Sequence, residues 1–139
     1  MDRQTRIDRL CGCYITVPTM FSDEDLEIDQ QAMRNHITFL LDGGFKTGNG
    51  VILTGGAAGD FSTMSFDERV MICETAVQVV EGRIPVILGA QTTNTRELIQ
   101  LAKSAERIGA EYIQISPPYY FSSTEEDFYE YVVAASEAA

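Results

Sequence analysis

A glycine-rich segment, Gly55-Gly56-Ala57-Ala58-Gly59-Asp60, holds the residues best suited to binding a small anion. Glycines let the backbone turn tightly and direct successive N–H groups inward, which makes a nest for a carboxylate or a phosphate. The spacing does not fit the dinucleotide fingerprint, and no Gly-Lys pair closes a P-loop. The spacing alone slightly favours a plain tight turn over a binding site.

Two phenols, Tyr119 and Tyr120, follow the Pro117-Pro118 pair after an apolar run. A phenol at the end of a strand can relay a proton or hold a substrate oxygen. An aromatic plug or a subunit contact explains the same pattern, and the sequence alone favours that interpretation over catalysis.

The other reactive side chains do not form a site. Cys11 and Cys13 alternate onto one face of the first predicted strand, where we interpret them as core or near-core residues rather than metal ligands. A metal would need further ligands, and the single histidine, His36, falls on a predicted helix. Because serines occur in loops and this histidine falls on a helix, no serine nucleophile has a histidine base beside it. We therefore expect no metal site.

The elements that position these residues follow a strand-then-helix pattern that occurs four times. Apolar runs predict the strands, and apolar stripes at helical spacing predict the helices. Polar residues spaced three apart begin several helices: Ser65 with Glu68, Asn94 with Glu97, and Ser123 with Glu126. The predicted strands cover 12–18, 51–54, 85–89 and 112–116.

This alternation indicates parallel βαβ units, whose ligands bind beyond the carboxyl ends of the strands. Composition leaves two architectures open, a doubly wound sheet and part of a barrel. With 139 residues, of which 45% are hydrophobic, the chain suits one domain. A complete barrel needs about 200 residues or more, so the chain is too short to close the ring by itself.

The charge balance excludes some classes of partner. A formal net charge of −11 argues against nucleic acid, which needs clustered lysine and arginine, and against an anionic membrane surface. No apolar run approaches the roughly 18 residues that would span a bilayer. No targeting signal is visible, and three cysteines make no disulfide framework. We therefore expect a cytoplasmic protein.

Taken in order along the chain, several segments resemble one family, the dihydrodipicolinate synthases and N-acetylneuraminate lyases, which are pyruvate-dependent class I aldolases. Residues 12–21 resemble the family's first strand and its Thr-Pro-Phe ending, with Met20 in place of the proline. Residues 56–60 resemble Gly-Thr-Thr-Gly-Glu, and 82–89 resemble Gly-Arg-x-Pro-Val-Ile-x-Gly. Further matches lie at 64–68, 95–97, 109–111 and 118–120. Their joint order favours the barrel.

The resemblance implies an α/β fold, a (β/α)₈ TIM barrel of which residues 1–139 supply about the first four βα units as the N-terminal half of one domain. It implies a lyase, an aldolase or dehydratase, that acts on a 2-oxo acid such as pyruvate through a Schiff base. Gly56, Ala57, Ala58 and Tyr119 would bind the substrate, with its carboxylate on backbone N–H groups. Tyr120 would be catalytic, reaching across a subunit contact to assist proton transfer. No cofactor is implied, and the oligomer would be a homodimer or homotetramer.

The chain departs from the family in three ways. Ala57 and Ala58 replace two threonines, which preserves the backbone amides but removes a hydroxyl proton relay and argues against dihydrodipicolinate synthesis itself. Residues 45–49 form a short insertion. The Schiff-base lysine would lie beyond Ala139, and neither Lys46 in a loop nor Lys103 in a helix can substitute for it. An alternative function is therefore a non-catalytic half-barrel that serves as a structural or oligomerisation module.

Overall fold

The computed structural model describes residues 2–139. Helices and strands alternate along them, with two short 3₁₀ turns at 57–59 and 61–63. The elements are α1 (Arg3–Arg9), β1 (Cys13–Thr16), α2 (Gln30–Asp42), β2 (Gly50–Thr54), α3 (Phe66–Val80), β3 (Val86–Gly89), α4 (Thr95–Ile108), β4 (Tyr112–Gln114) and α5 (Glu125–Ser136).

The four strands form one parallel sheet in the order β1-β2-β3-β4. In its register Thr16 pairs with Leu53, and Ile87 pairs with both Leu53 and Tyr112. Each strand is followed by a helix, so the four predicted βα units are confirmed. Three of the observed strands are shorter than predicted, by one or two residues at an end, and β2 begins one residue earlier than predicted.

The main core lies between the outer face of the sheet and α2 to α5. Strand residues such as Ile52 and Leu88 meet the predicted apolar stripes of the helices there. Burial of these stripes removes apolar surface from water, which is the main stabilising contribution to such a fold. The fully or largely buried helix residues include Met33, Ile37, Ile72, Cys73, Ala76, Val80, Leu98, Leu101, Ala102, Ala105 and Ala135.

The inner face of the sheet has a smaller apolar cluster of its own. Val51, Leu53 and Ile87 are buried there, and Tyr112 packs against them. Successive strand side chains point to opposite faces, so these residues are separate from the helix-covered core. In a barrel this face is the packed interior.

Helix starts follow the predicted capping residues with one correction. Ser65 and Glu68 form a reciprocal capping box at α3, and Asn94 accepts from the backbone N–H of Glu97 at α4. The prediction of Ser123 with Glu126 for the last helix is wrong by one residue, because Thr124 and Asp127 form the box instead. Two overlapping pairs with the same spacing stood side by side, and only one can sit at the helix boundary.

The N-terminal segment differs from the prediction in two respects. Residues 3–9 form α1, which the apolar pattern did not predict, because none of its residues is buried. The interpretation of Cys11 and Cys13 as core or near-core residues is wrong, since both are exposed. They lie at the end of α1 and the start of β1, and β1 is an edge strand in this chain, so no neighbouring strand covers them.

Among residues 2–139, no helix combines the length and apolar composition needed to cross a membrane.

Candidate functional site

The glycine-rich loop follows β2 at the carboxyl end of the sheet. Gly55 has a φ of +61°, a left-handed conformation that favours glycine. A side chain at Gly89, at the end of β3, would meet the backbone oxygen of Gly55 at 2.0 Å. The two strand ends therefore approach so closely that glycine is required at Gly89.

The loop then passes over the inner face of the sheet. A Cβ atom at Gly56 would lie 2.4 Å from Cδ2 of Leu53 and 3.1 Å from Cγ2 of Thr16, which pair across β1 and β2. Leu53 belongs to the inner cluster. The loop thus begins at the mouth of what would be the barrel interior, where ligands of this architecture bind.

The backbone N–H groups of Ala57 and Ala58 are two adjacent unpaired donors in this loop. Gly59 donates its N–H to the oxygen of Gly56 at 2.9 Å and closes a 3₁₀ turn. Within residues 2–139, neither alanine N–H has a hydrogen-bond partner, and both residues are exposed. Adjacent unpaired amides at the start of a helical turn can donate hydrogen bonds to a carboxylate or a phosphate.

The two predicted tyrosines occupy different surroundings. Tyr119 packs edge-on against Phe61, with ring centroids 5.8 Å apart, so it lies beside the end of the loop. Tyr120 is 79% exposed and packs against Phe121 instead. The structure therefore brings Gly56, Ala57, Ala58 and Tyr119 into one neighbourhood and leaves Tyr120 on the surface.

A buried polar network beside the loop was not predicted. Arg69, on α3, is 3% exposed and donates through Nη2 to the oxygen of Gly89 at 2.6 Å. Its Nη1 lies 3.5 Å from Oε1 of Glu97, whose other oxygen accepts from Oγ1 of Thr92 at 2.9 Å. The backbone oxygen of Thr92 in turn accepts from the hydroxyl of Tyr131 at 2.7 Å.

The sequence did carry a signal for this network. Arg69 stands three residues before Ile72 and seven before Ala76, which places it on the buried stripe of α3. A charged side chain in an apolar stripe is an exception that indicates a polar partner inside the fold. Tyr131 likewise stands four residues before the buried Ala135.

Burial governs the titration of this network. It lowers the pKa of the Arg69 guanidinium, and the nearby Glu97 carboxylate opposes that change. It also raises the pKa of Tyr131 to about 12, because the ionised phenol is poorly solvated there. Tyr131 therefore remains a hydrogen-bond donor at any ordinary pH.

Neither lysine among residues 2–139 reaches the loop. Lys46 is exposed in the turn that precedes β2, at the opposite end of the sheet, and Lys103 is exposed on α4. Over residues 2–139 there is also no group of three or more His, Cys, Asp or Glu side chains able to hold a metal. The arrangement offers anion binding by backbone amides and does not contain a nucleophilic lysine at the strand ends.

Comparisons with known proteins point to one family. The model of the dihydrodipicolinate synthetase family matches residues 10–138. The 4-hydroxy-tetrahydrodipicolinate synthase of Desulfotalea psychrophila is 34% identical over 132 residues, which cover 95% of this chain and 42% of that protein. The same enzyme of Thermotoga neapolitana is 34% identical over 80% of this chain and 36% of its own length.

Solved structures of the family superpose well on the chain. Dihydrodipicolinate synthase from Aquifex aeolicus has a TM-score of 0.84 at 30% identity, over 92% of this chain and 42% of that one. YagE, a prophage protein of E. coli solved in complex with pyruvate, has a TM-score of 0.84 at 29% identity, over 92% and 41%.

The chain spans about two fifths of the length of these relatives, and its four parallel strands correspond to part of their (β/α)₈ barrel. The expectation of a partial TIM barrel is therefore confirmed, and so is the resemblance to the family. Since the family model covers residues 10–138, nearly the whole chain, the chain belongs to the dihydrodipicolinate synthetase family.

Proposed function

We propose that this chain supplies the 2-oxo-acid-binding part of a lyase, as the N-terminal half of one barrel domain. The observation that carries the proposal is that Ala57 and Ala58 are exposed at the carboxyl end of the sheet, and that within residues 2–139 their N–H groups have no hydrogen-bond partner. A relative of the same fold is described in complex with pyruvate, which has the carboxylate that such amides accept.

The proposed chemistry divides between this chain and the remainder of the barrel. The carboxylate of the oxo acid docks on the two amides, which orients its keto carbon toward the barrel interior. A lysine outside these 139 residues adds to that carbon, water leaves, and the resulting imine accepts the electron pair released when a neighbouring bond breaks. Alanines in the loop provide no hydroxyl for proton transfer, so that role would fall to other groups such as Tyr120 of a neighbouring subunit in a homodimer or homotetramer.

Binding can be tested on the ¹⁵N-labelled chain by NMR titration with pyruvate. The amide resonances of Ala57 and Ala58 should shift with one saturating curve, and pyruvamide, which lacks the carboxylate, should leave them unchanged. Ala57→Pro removes one donor at a position where proline fits the start of a helical turn, and it should weaken binding about tenfold. Ala57→Ser keeps the amide and serves as the control. Equal shifts with pyruvamide would reject carboxylate recognition.

The position of the two lysines gives a second test. Pyruvate with borohydride should leave the 139-residue chain unmodified, because Lys46 and Lys103 lie away from the loop. Mass spectrometry that finds either lysine alkylated would contradict the proposal.

One observation favours the alternative function, a half-barrel that associates without catalysis. An open groove of about 490 Å³ runs beside β4, lined in part by Ala102, Ala105, Ile113 and Ala135. On the opposite edge of the sheet Tyr14 is 50% exposed. Light scattering decides between monomer and assembly, and a stable monomer that binds pyruvate would exclude the alternative.

A further inference from the structure

We propose that Arg69 is a positioning residue that clamps both ends of the loop 55–61 and thereby presents the amides of Ala57 and Ala58 to the ligand. The inference rests on the proposed function and deepens it, because it names the side chain that fixes the binding loop. Arg69 itself does not touch the substrate in this scheme.

The first end of the loop is fixed through β3. Arg69 Nη2 donates to the backbone oxygen of Gly89 at 2.6 Å. Gly89 lies against Gly55, whose oxygen would be only 2.0 Å from a Cβ atom at Gly89. Since Gly55 opens the loop, holding the Gly89 carbonyl also fixes the point where the loop leaves the sheet.

The second end is fixed through an aromatic ring. The guanidinium carbon of Arg69 lies 5.6 Å from the centroid of the Phe61 ring, within the range of a cation–π contact. Phe61 also contacts Tyr119, whose ring is edge-on to it with centroids 5.8 Å apart. One guanidinium thus contacts the residue that ends the loop and, through it, the tyrosine expected to bind substrate.

The clamp is itself anchored by two neighbouring helices. Glu97, on α4, faces Nη1 of Arg69 at 3.5 Å and also accepts from Thr92 Oγ1. Tyr131, on α5, donates to the oxygen of Thr92 at 2.7 Å. Arg69 is therefore held from α3, α4 and α5 while it reaches toward the loop.

Stability alone is a poor explanation for this arginine. It is 3% exposed, and within residues 2–139 its Nε has no hydrogen-bond partner. A buried charge that is only partly paired often stabilises a fold less than an apolar side chain of similar size. An arginine at this position on the apolar stripe of α3 is better explained by the contacts that its planar, five-donor guanidinium makes at both ends of the loop.

The test uses three variants of the whole 139-residue chain. Arg69→Met removes the charge and the fork while keeping an unbranched, flexible apolar stem, and Arg69→Lys keeps the charge and one donor for Gly89. Phe61→Leu removes only the ring. Arg34→Met is the matched control, because Arg34 donates to Gln78 Oε1 at 2.6 Å between α2 and α3, away from the loop.

The direct readout is the ¹⁵N order parameter of Ala57, Ala58 and Gly59 without ligand. The order parameter is about 0.85 for rigid backbone and less than about 0.6 for flexible backbone. We therefore expect about 0.85 in the wild type and in Arg34→Met, and less than about 0.6 in Arg69→Met. Arg69→Lys and Phe61→Leu should fall between the two. Unchanged order in Arg69→Met would overturn the proposal.

The second readout is the dissociation constant for pyruvate, which should rise about tenfold in Arg69→Met and partly recover in Arg69→Lys. Absence of pyruvate binding by the wild type, together with a loosened loop in Arg69→Met, would reject the proposed function and support the clamp. If circular dichroism shows Arg69→Met to be unfolded, the loop order parameters of Arg69→Lys and Phe61→Leu test the clamp instead. A wild-type loop order in both would reject the clamp.

Discussion

At the scale of single residues, the proposed binding chemistry depends on backbone atoms rather than on side chains. The amides of Ala57 and Ala58 are presented by a turn in which Gly55 has a left-handed φ of +61°, a conformation that favours glycine. Alanine at positions 57 and 58 therefore leaves the proposed anion site its backbone donors, while it supplies no hydroxyl. Side chains act instead on the geometry of that turn, chiefly through Arg69 and its partners.

The three cysteines should differ sharply in reactivity. Cys11 and Cys13 are exposed, whereas burial raises the pKa of the Cys73 thiol to about 12 and keeps it protonated. Titration of the native chain with a thiol-specific disulfide reagent should release two equivalents, and a third should follow on denaturation. Three equivalents from the native chain would contradict the packing of α3 against β2.

Tyr131→Phe tests the hydroxyl that joins α5 to the end of β3. It keeps the ring but leaves the Thr92 oxygen without its donor, so the free energy of unfolding should fall by about 1 kcal/mol. Tyr129→Phe on the same helix is the control, since Tyr129 is exposed and should cause no measurable change in a urea titration. Equal effects in the two variants would show that the buried hydrogen bond contributes nothing.

At the scale of elements, local polar residues decide where the helices begin. The Ser65–Glu68 box satisfies free N–H groups at the start of α3, and α3 carries Arg69 one residue later. The cap therefore fixes where α3 begins, and the packing of its apolar stripe places Arg69 against Gly89. The Thr124–Asp127 box likewise fixes the start of α5, the helix that carries Tyr131.

The cap of α3 predicts a pH dependence. Hydrogen bonds from the Ser65 side chain and backbone lower the pKa of Glu68 below its ordinary value of 4.5. A carboxylate whose pKa is lower in the folded chain stabilises the fold fully at a pH above its ordinary pKa. That contribution is lost as the pH falls through the lowered pKa of the folded chain. The melting temperature should therefore fall on acidification, and less steeply in Glu68→Gln than in Glu74→Gln, a control at an exposed position on the same helix. Identical pH profiles would contradict the capping role.

At the scale of the whole molecule, α1 joins the two edges of the sheet. It leads directly into β1, and Arg9 forms a two-point ion pair with Glu111, just before β4, at 2.6 and 2.7 Å. The hydroxyl of Tyr112 also donates to the backbone oxygen of Arg6 at 2.7 Å. The first and last strands are thereby tied at one end of the sheet, opposite the glycine-rich loop.

Arg9→Ala should release this tie without unfolding the molecule. Both charged side chains are about a quarter exposed, so the pair contributes about 1 kcal/mol or less. Hydrogen exchange in α1 should accelerate while exchange in β2 and β3 stays unchanged, and Arg3→Ala on the same helix should alter neither. Unchanged exchange in α1 would mean that other contacts hold it.

The sequence by itself determined the repeating units, most helix ends and the glycine-rich turn. These depend on residues close together in the chain: apolar periodicity, caps three residues apart, and glycines that permit a tight turn. Ser65 with Glu68 could be assigned for that reason. The overlapping pairs 123/126 and 124/127 could not be separated, because both satisfy the same local rule.

Only the tertiary structure decided which polar groups act together. Arg69 and Gly89 are 20 residues apart, and Tyr131 and Thr92 are 39 apart, so no local pattern could pair them. The exposure of Cys11 and Cys13 likewise depends on β1 lying at an edge of the sheet, and α1 buries none of its residues. Burial and pairing are properties of the assembled sheet and its helices, because they arise only where distant segments meet.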